Sequence, residues 1–359
     1  MNSPTPQSRM PYLAPLDALR AIAAVGIIIT HVFFQSGIDQ GVLGAIGARM
    51  DYWVPVFFAL SGFLLWGKTP TRRYYSHRFA RLAPAYLVYV AVTLLFVPAA
   101  RTDSPPVILA NLFMLQIYVP GALIGGLTHL WSLCVEVAFY IILPWLYVLS
   151  RGTKRGAYGV IIGLTVVSFL WPWVPTNLII NQQTLPMSYG VWFALGILMH
   201  QVRPTFTGRS PRFIGVTFAG AAVLALLIAF IFGHWGPQGL THPSPWEFNL
   251  RVLGGLLFSA TVFVPTLALA RTDRDLPAVE GALVWAGKRG YSIFLWHLAV
   301  LSFMYPLLGI PLFSGQLSHA LIVLAATIVV TLVVANLSYE LVEKPGQEWL
   351  LRRKQEPKN

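Results

Sequence analysis

Apolar residues fall in blocks of roughly 20 separated by short polar breaks, the length a helix needs to cross a ~30 Å hydrocarbon layer. Windows of about 19 residues predict spans near 14–34, 52–67, 83–99, 129–149, 157–174, 186–202, 212–232, 249–270, 289–309 and 318–342. The apolar stretch from Val107 to Val119 has only 13 residues, and counting it as a further span would reverse the orientation of every later basic loop. It is expected to be re-entrant or interfacial. The predicted fold is an all-α polytopic bundle of about ten spans plus that short helix. It forms a single domain over 1–359, with 1–13 and 346–359 as polar tails. No internal repeat supports the inverted symmetry common in secondary transporters.

Composition agrees with this pattern. The chain of 359 residues is 56% hydrophobic and 11% charged, where a soluble domain carries about 25% charge. The net charge of +12 would suit a nucleic-acid binder, but the basic residues cluster in a few short loops. The stretches 175–186, 233–248 and 310–317 hold no Lys or Arg. The positive-inside rule accounts for that distribution and puts both termini in the cytoplasm, with no nucleic-acid partner expected. Asp17 and Arg20 interrupt the first apolar run and no cleavage-site pattern follows, so the first helix is expected to be retained. The cytoplasmic (inner) membrane is the expected location, multi-pass. The single cysteine, Cys134, excludes a disulfide framework.

Ionisable side chains at membrane depth are costly, and they mark candidate sites. Arg20 and His31 are eleven residues apart, about 16 Å along a helix and nearly on one face. Asp17 and Arg20 can neutralise each other at i, i+3. Ser132, Glu136 and Tyr140 recur every four residues after His129 and Trp131, giving one polar stripe on an apolar helix. A carboxylate near an imidazole can fix its tautomer and raise its basicity, so Glu136 is expected to act with His31. The basic run containing Arg72, Arg73, Arg78 and Arg81 either sets topology or grips a phosphorylated ligand. Trp296 and His297 lie early in a later span, and Trp53, Trp66, Trp131 and Trp296 suit either sugar faces or an interfacial belt. The histidines form no recognisable metal-ligand cluster, so no metal is expected.

Taken together, these segments resemble the membrane-bound acyltransferase family 3. The family's opening motif appears as Leu16-Asp17-Ala18-Leu19-Arg20, with alanine where glycine is usual. Its arginine, ten residues and histidine are matched by Arg20 and His31. Its serine-glycine-phenylalanine element is matched by Ser61-Gly62-Phe63, and its arginine pair by Arg78 and Arg81. The block Trp131-Ser132-Leu133 with Glu136 and Tyr140, the stretch from Tyr291 to His297 and Glu343-Lys344-Pro345 look like the later motifs.

The resemblance implies an enzyme moving an acyl group, often acetyl, from an acyl-CoA donor to a hydroxyl of a carbohydrate, cell-envelope glycan or glycosylated product. No tightly bound cofactor is implied. His31, Glu136, Arg20 and Asp17 are then the candidate catalytic residues, with Arg78, Arg81, Arg72 and Arg73 holding the CoA phosphates. Trp131, Ser132, Tyr140, Ser61, Trp296 and His297 are the candidate substrate contacts. His31 would either take the hydroxyl proton or carry the acyl group covalently, and the sequence leaves both open. No esterase-like domain follows the last span, so an accessory extracytoplasmic protein is an expected partner. The competing class is a transporter or flippase using the same buried Arg, His and Glu residues.

Overall fold

In the computed structural model, residues 14–175, 181–202, 210–235, 243–269 and 278–352 are described, and every regular element among them is a helix. The helices are α1 (Ala14–Ser36), α2 (Gly41–Ala48), α3 (Trp53–Leu65), α4 (Arg72–Phe96), α5 (Pro105–Leu112), α6 (Trp131–Leu149) and α7 (Lys154–Leu170). They continue as α8 (Gly190–Val202), α9 (Pro211–Gly233), α10 (Pro245–Leu269), α11 (Ala278–Lys288), α12 (Gly290–Leu308), α13 (Leu317–Ser338) and α14 (Lys344–Arg352).

Among the described residues, eight helical stretches are long and apolar enough to cross a membrane. They contain α1, α4, α6, α7, α9, α10 and α12, and the eighth is α13 running through a π-helical turn (Tyr339–Glu343) into α14. The chain is a multi-pass membrane protein. Expected spans 52–67 and 186–202 instead hold α3 and α8, each of 13 residues. Such a helix is about 20 Å long, short of a bilayer core. The expected spans took in flanking residues that the α-helices leave out: Tyr52, Trp66 and Gly67 around α3, and the 3-10 turn Pro186–Tyr189 before α8.

These two short helices pack on each other through glycines. A Cβ at Gly62 would stand 2.3 Å from the Phe193 carbonyl oxygen, and one at Gly196 only 2.0 Å from that of Ala59. The close approach lets Phe193 stack on Phe58 of α3 and Phe139 of α6, with ring centroids 4.7 and 3.7 Å apart. Helix α1 forms the centre of the bundle. Its apolar window is 67% buried against 17% for those of α7 and α9, which present their flanks outward.

The stretch expected not to span holds α5, eight residues long, followed by turns. Irregular backbone at membrane depth needs internal hydrogen-bond partners, and Asn111 supplies them. Its amide donates to the carbonyls of Val107 and Ala122, both at 2.9 Å, and Tyr86 donates to the Asn111 carbonyl at 2.5 Å. Two elements correct the loop assignments. Helix α11 lies in a stretch read as a basic loop and packs on α1 so tightly that a Cβ at Gly287 would meet the Asp17 carbonyl. Residues 344–352 form α14, which takes up the first part of the expected tail 346–359; the expected tail 1–13 and the remaining residues 353–359 lie outside the described residues.

Candidate active site

Helix α4 begins at an N-cap where Thr71 accepts the Tyr74 amide at 3.1 Å, which leaves Arg72 and Arg73 exposed on the first turn. Tyr74 and Tyr75 then donate to the carbonyls of Tyr140 and Ile141, both at 3.0 Å, docking α4 along α6. That docking aims Arg78 and Arg81, one helical turn apart, into a cavity between α1, α3, α4, α6 and α12. Arg20, Ser61, Ser132, Glu136 and Tyr140 line the same cavity. Arg20 is paired with Asp17. Glu136 accepts from Ser61 at 2.5 Å and from Tyr140 at 2.7 Å, both on Oε1. The Arg78 guanidinium lies 5.8 Å from the Tyr140 ring centroid, and its Nε is buried without a hydrogen-bond partner.

This wall has three guanidinium groups and, apart from the Asp17 that pairs with Arg20, one carboxylate. A low-dielectric space lined in that way attracts anions, and the unspent Arg78 donor calls for an acceptor that the protein does not supply.

A second cavity of about 280 Å³ adjoins the first, and Ile27, Val54, Ser132 and Phe294 line both. Its wall carries His31, His129, Asp51, Trp131 and Arg251. His31 packs on His297 with ring centroids 5.2 Å apart, and His297 packs on His129 at 4.8 Å. Nδ1 of His297 is 2.7 Å from the Phe294 carbonyl, and Nε2 of His129 is 3.2 Å from that of Leu295. A carbonyl only accepts, so each of these nitrogens carries the proton. In the neutral ring the other nitrogen, Nε2 of His297 and Nδ1 of His129, presents a lone pair, and both are buried without a hydrogen-bond partner. His297 therefore supports His31 from behind, while His31 and His129 both line the cavity. Among the described residues no group of three or more His, Cys, Asp or Glu side chains is arranged to hold a metal ion.

Placement sorts the sequence candidates. Arg20 and His31 share α1 and face adjoining cavities, and Ser132, Glu136 and Tyr140 share one wall. Glu136 belongs to the arginine cavity with Ser61 and Tyr140, whereas the carboxylate lining the His31 cavity is Asp51. Periodicity fixes the face of a helix but not which neighbour that face meets, so the expected pairing of Glu136 with His31 is replaced. Trp296 packs on Tyr89 at 5.2 Å, with its Nε1 buried, and lines neither cavity. Of the four tryptophans that could face a sugar, Trp131 alone lines the His31 cavity; Trp53 packs on Phe258 and Trp66 on Tyr147. His297 lies behind His31 rather than at the wall.

Sequence reasoning passed over Asp51, Arg251 and the partnership of His129. Arg251 stands inside an apolar span and is bonded to Asp51 at 3.3 Å. Its charge at membrane depth was the signal available; its partner, 200 residues away, was not.

A family model described as an acyltransferase domain matches residues 13–336. Peptidoglycan O-acetyltransferase OatA of Listeria monocytogenes is 25% identical over 93% of this chain and 56% of its own length. O-acetyltransferase OatA of Staphylococcus aureus is 27% identical over 93% of this chain and 57% of its own length. The chain thus spans little more than half the length of the curated relatives it matches. No solved structure matches it. The matched region contains α1 to α12 and both cavities, and the chain belongs to acyltransferase family 3.

Proposed function

We propose that the protein is a membrane O-acyltransferase that moves an acyl group, most simply acetyl, from acyl-CoA to a hydroxyl of a glycan or glycoside at the cytoplasmic membrane. The observation that carries this reading is the pair of adjoining cavities, one lined by guanidinium groups and the other by an imidazole, with Ser132 on their common wall. Arg78 and Arg81 hold the phosphates of the donor, and Arg20 guides the pantetheine arm inward. The thioester reaches the common wall.

His31 accepts the proton of the acceptor hydroxyl as its oxygen attacks the thioester carbon. The tetrahedral intermediate collapses with loss of the carbon–sulfur bond. The thiolate leaves with the proton held by His31, so ester and free CoA are the products. Glu136 fixes Ser61 and Tyr140 and balances the arginine charge. The glycan acceptor is supported by the name of the Listeria relative, a peptidoglycan O-acetyltransferase.

The test is acetyl-CoA binding by the purified full chain in nanodiscs, together with release of free CoA thiol, using His31→Ala as control. Binding with His31-dependent release is expected. A well-folded protein that binds no acetyl-CoA and moves a solute instead would refute the reading in favour of a transporter. Rapid-quench mass spectrometry separates the two chemical routes, since a covalent route accumulates acyl-protein and direct attack does not.

A further inference from the structure

Beyond His31 a third cavity adjoins the second, with Asp51, Val54, Trp131 and Arg251 common to both. One side is aromatic. Tyr189 lies between Trp131 and Trp192, with ring centroids 5.0 and 4.8 Å away. The lining also carries the polar groups of Asp51, Gln183 and Tyr52.

Several atoms of those polar groups are unspent. Asp51 Oδ2 accepts from Arg251 at 3.3 Å and faces Arg49 at 3.8 Å, while Oδ1 has no hydrogen-bond partner. Gln183 is only 6% exposed. Its Nε2 donates to the Pro243 carbonyl at 2.8 Å, which fixes the amide orientation and leaves Oε1 unpartnered. The Tyr52 hydroxyl is likewise buried without a partner. Buried acceptors left open are uncommon and call for donors from elsewhere. Two acceptors and one hydroxyl in a lining that also holds three aromatic rings suit a ligand with several O–H donors and an apolar ring face. Arg251 is bonded to Asp51, and Arg49, which also faces Asp51, does not line this cavity; the open groups of its lining are two acceptors and a hydroxyl, which O–H donors satisfy better than an anionic headgroup does.

We propose that this third cavity is the acceptor subsite and that it binds an uncharged hexopyranose ring, stacked on the Trp131–Tyr189–Trp192 side and hydrogen-bonded through its hydroxyls to Asp51 and Gln183. The assignment rests on the acyltransfer reading and deepens it. A ring held there presents one hydroxyl past Trp131 toward His31, because Trp131 and Asp51 line both cavities. Asp51 and Gln183 then act as specificity-determining contacts rather than catalytic residues.

The test uses the full chain in nanodiscs with two named probes, methyl β-D-glucopyranoside and methyl β-N-acetylglucosaminide. Binding is measured by saturation-transfer NMR, and acetyl-CoA binding is measured in parallel. At least one glycoside should bind saturably. Gln183→Met and Asp51→Asn should each weaken that binding by about tenfold or more, the value of one hydrogen bond to a desolvated group, with acetyl-CoA affinity within about twofold of wild type. The unchanged donor affinity and the unfolding midpoint serve as the fold control; Gln183→Met is the milder change if Asp51→Asn disturbs Arg49. Failure of the wild type to bind either glycoside, or binding unaltered in both variants, overturns the subsite. Loss of acetyl-CoA binding in the wild type with glycoside binding intact would instead overturn the acyltransfer reading, so the two failures are distinguishable.

Discussion

Four arginines near the start of α4 look equivalent in sequence, but the structure divides them. Arg72 and Arg73 are exposed on the first turn, whereas Arg78 and Arg81 line the cavity that Arg20 and Glu136 share. A hydrogen bond between charged groups in a partly desolvated site contributes about 1.5–3 kcal/mol, roughly 10- to 150-fold in affinity. Exposed charges are screened by salt and should change donor affinity less than about threefold. The double variant Arg78→Gln/Arg81→Gln is therefore expected to weaken acetyl-CoA binding by at least about 100-fold. Arg72→Gln/Arg73→Gln should stay near wild type. Neither Arg78 nor Arg81 has an ion-pair partner among the described residues. Glu136 is one carboxylate against three guanidinium groups, so removing two of those charges beside Arg20 should leave the unfolding temperature unchanged or raised. Isothermal titration of acetyl-CoA into nanodisc-held protein measures the first quantity and differential scanning fluorimetry the second. Equal losses in the two double variants, or a larger loss from Arg72/Arg73, would refute the assignment of the donor phosphates to the cavity.

Three further outcomes follow from the geometry. His31→Gln should lower acceptor-dependent CoA release by about 100-fold or more, the range for a positioned base, with acetyl-CoA affinity retained; activity within a few-fold of wild type would remove His31 from the reaction. Glu136→Gln should depress kcat and raise acetyl-CoA affinity modestly, because one negative charge leaves the arginine wall; calorimetry showing weaker binding would contradict that electrostatic role. Gly196→Val places side-chain carbon against the Ala59 carbonyl, where even a Cβ would stand 2.0 Å away. It should destabilise by about 1–3 kcal/mol or more, seen as a lower melting temperature, and an unchanged midpoint would disprove the close α3–α8 contact.

Much of this arrangement was legible from local periodicity, and the failures share one cause. The eleven-residue spacing set Arg20 and His31 on one face of α1, and the four-residue recurrence set Ser132, Glu136 and Tyr140 on one wall. Both are properties of a single helix. The packing of His31, His297 and His129 joins three separate segments, and the Asp51–Arg251 bond joins two. No periodicity encodes which helices meet. Eight of the ten expected spans hold long apolar helices among the described residues, and α3 and α8 are shorter than expected, since hydropathy windows sum apolar residues without regard to whether they lie in a helix or in a flanking turn, as at 186–189.

The short helices explain why the cavities can meet inside a bundle otherwise built of full-length spans. Had α3 and α8 been regular spans, apolar side chains would continue where the loop and 3-10 turn now bring Arg49, Asp51 and Tyr52 into the bundle on one side and Gln183 on the other. Non-helical backbone at that depth is tolerated only when it is buried in protein or lines a cavity. Here it does both: Arg49 is 0% exposed and donates to the carbonyls of Phe232 and Trp235, while Asp51 faces the space beside His31. The glycine contact of Gly62 with Gly196 holds the two short helices together. Lengthening α3 by a turn at its N-terminal end, where Ala48 and Asp51 line the His31 cavity, would therefore be expected to close that cavity before it disturbs the arginine cavity. That order is readable as acceptor-dependent turnover lost while acetyl-CoA still binds.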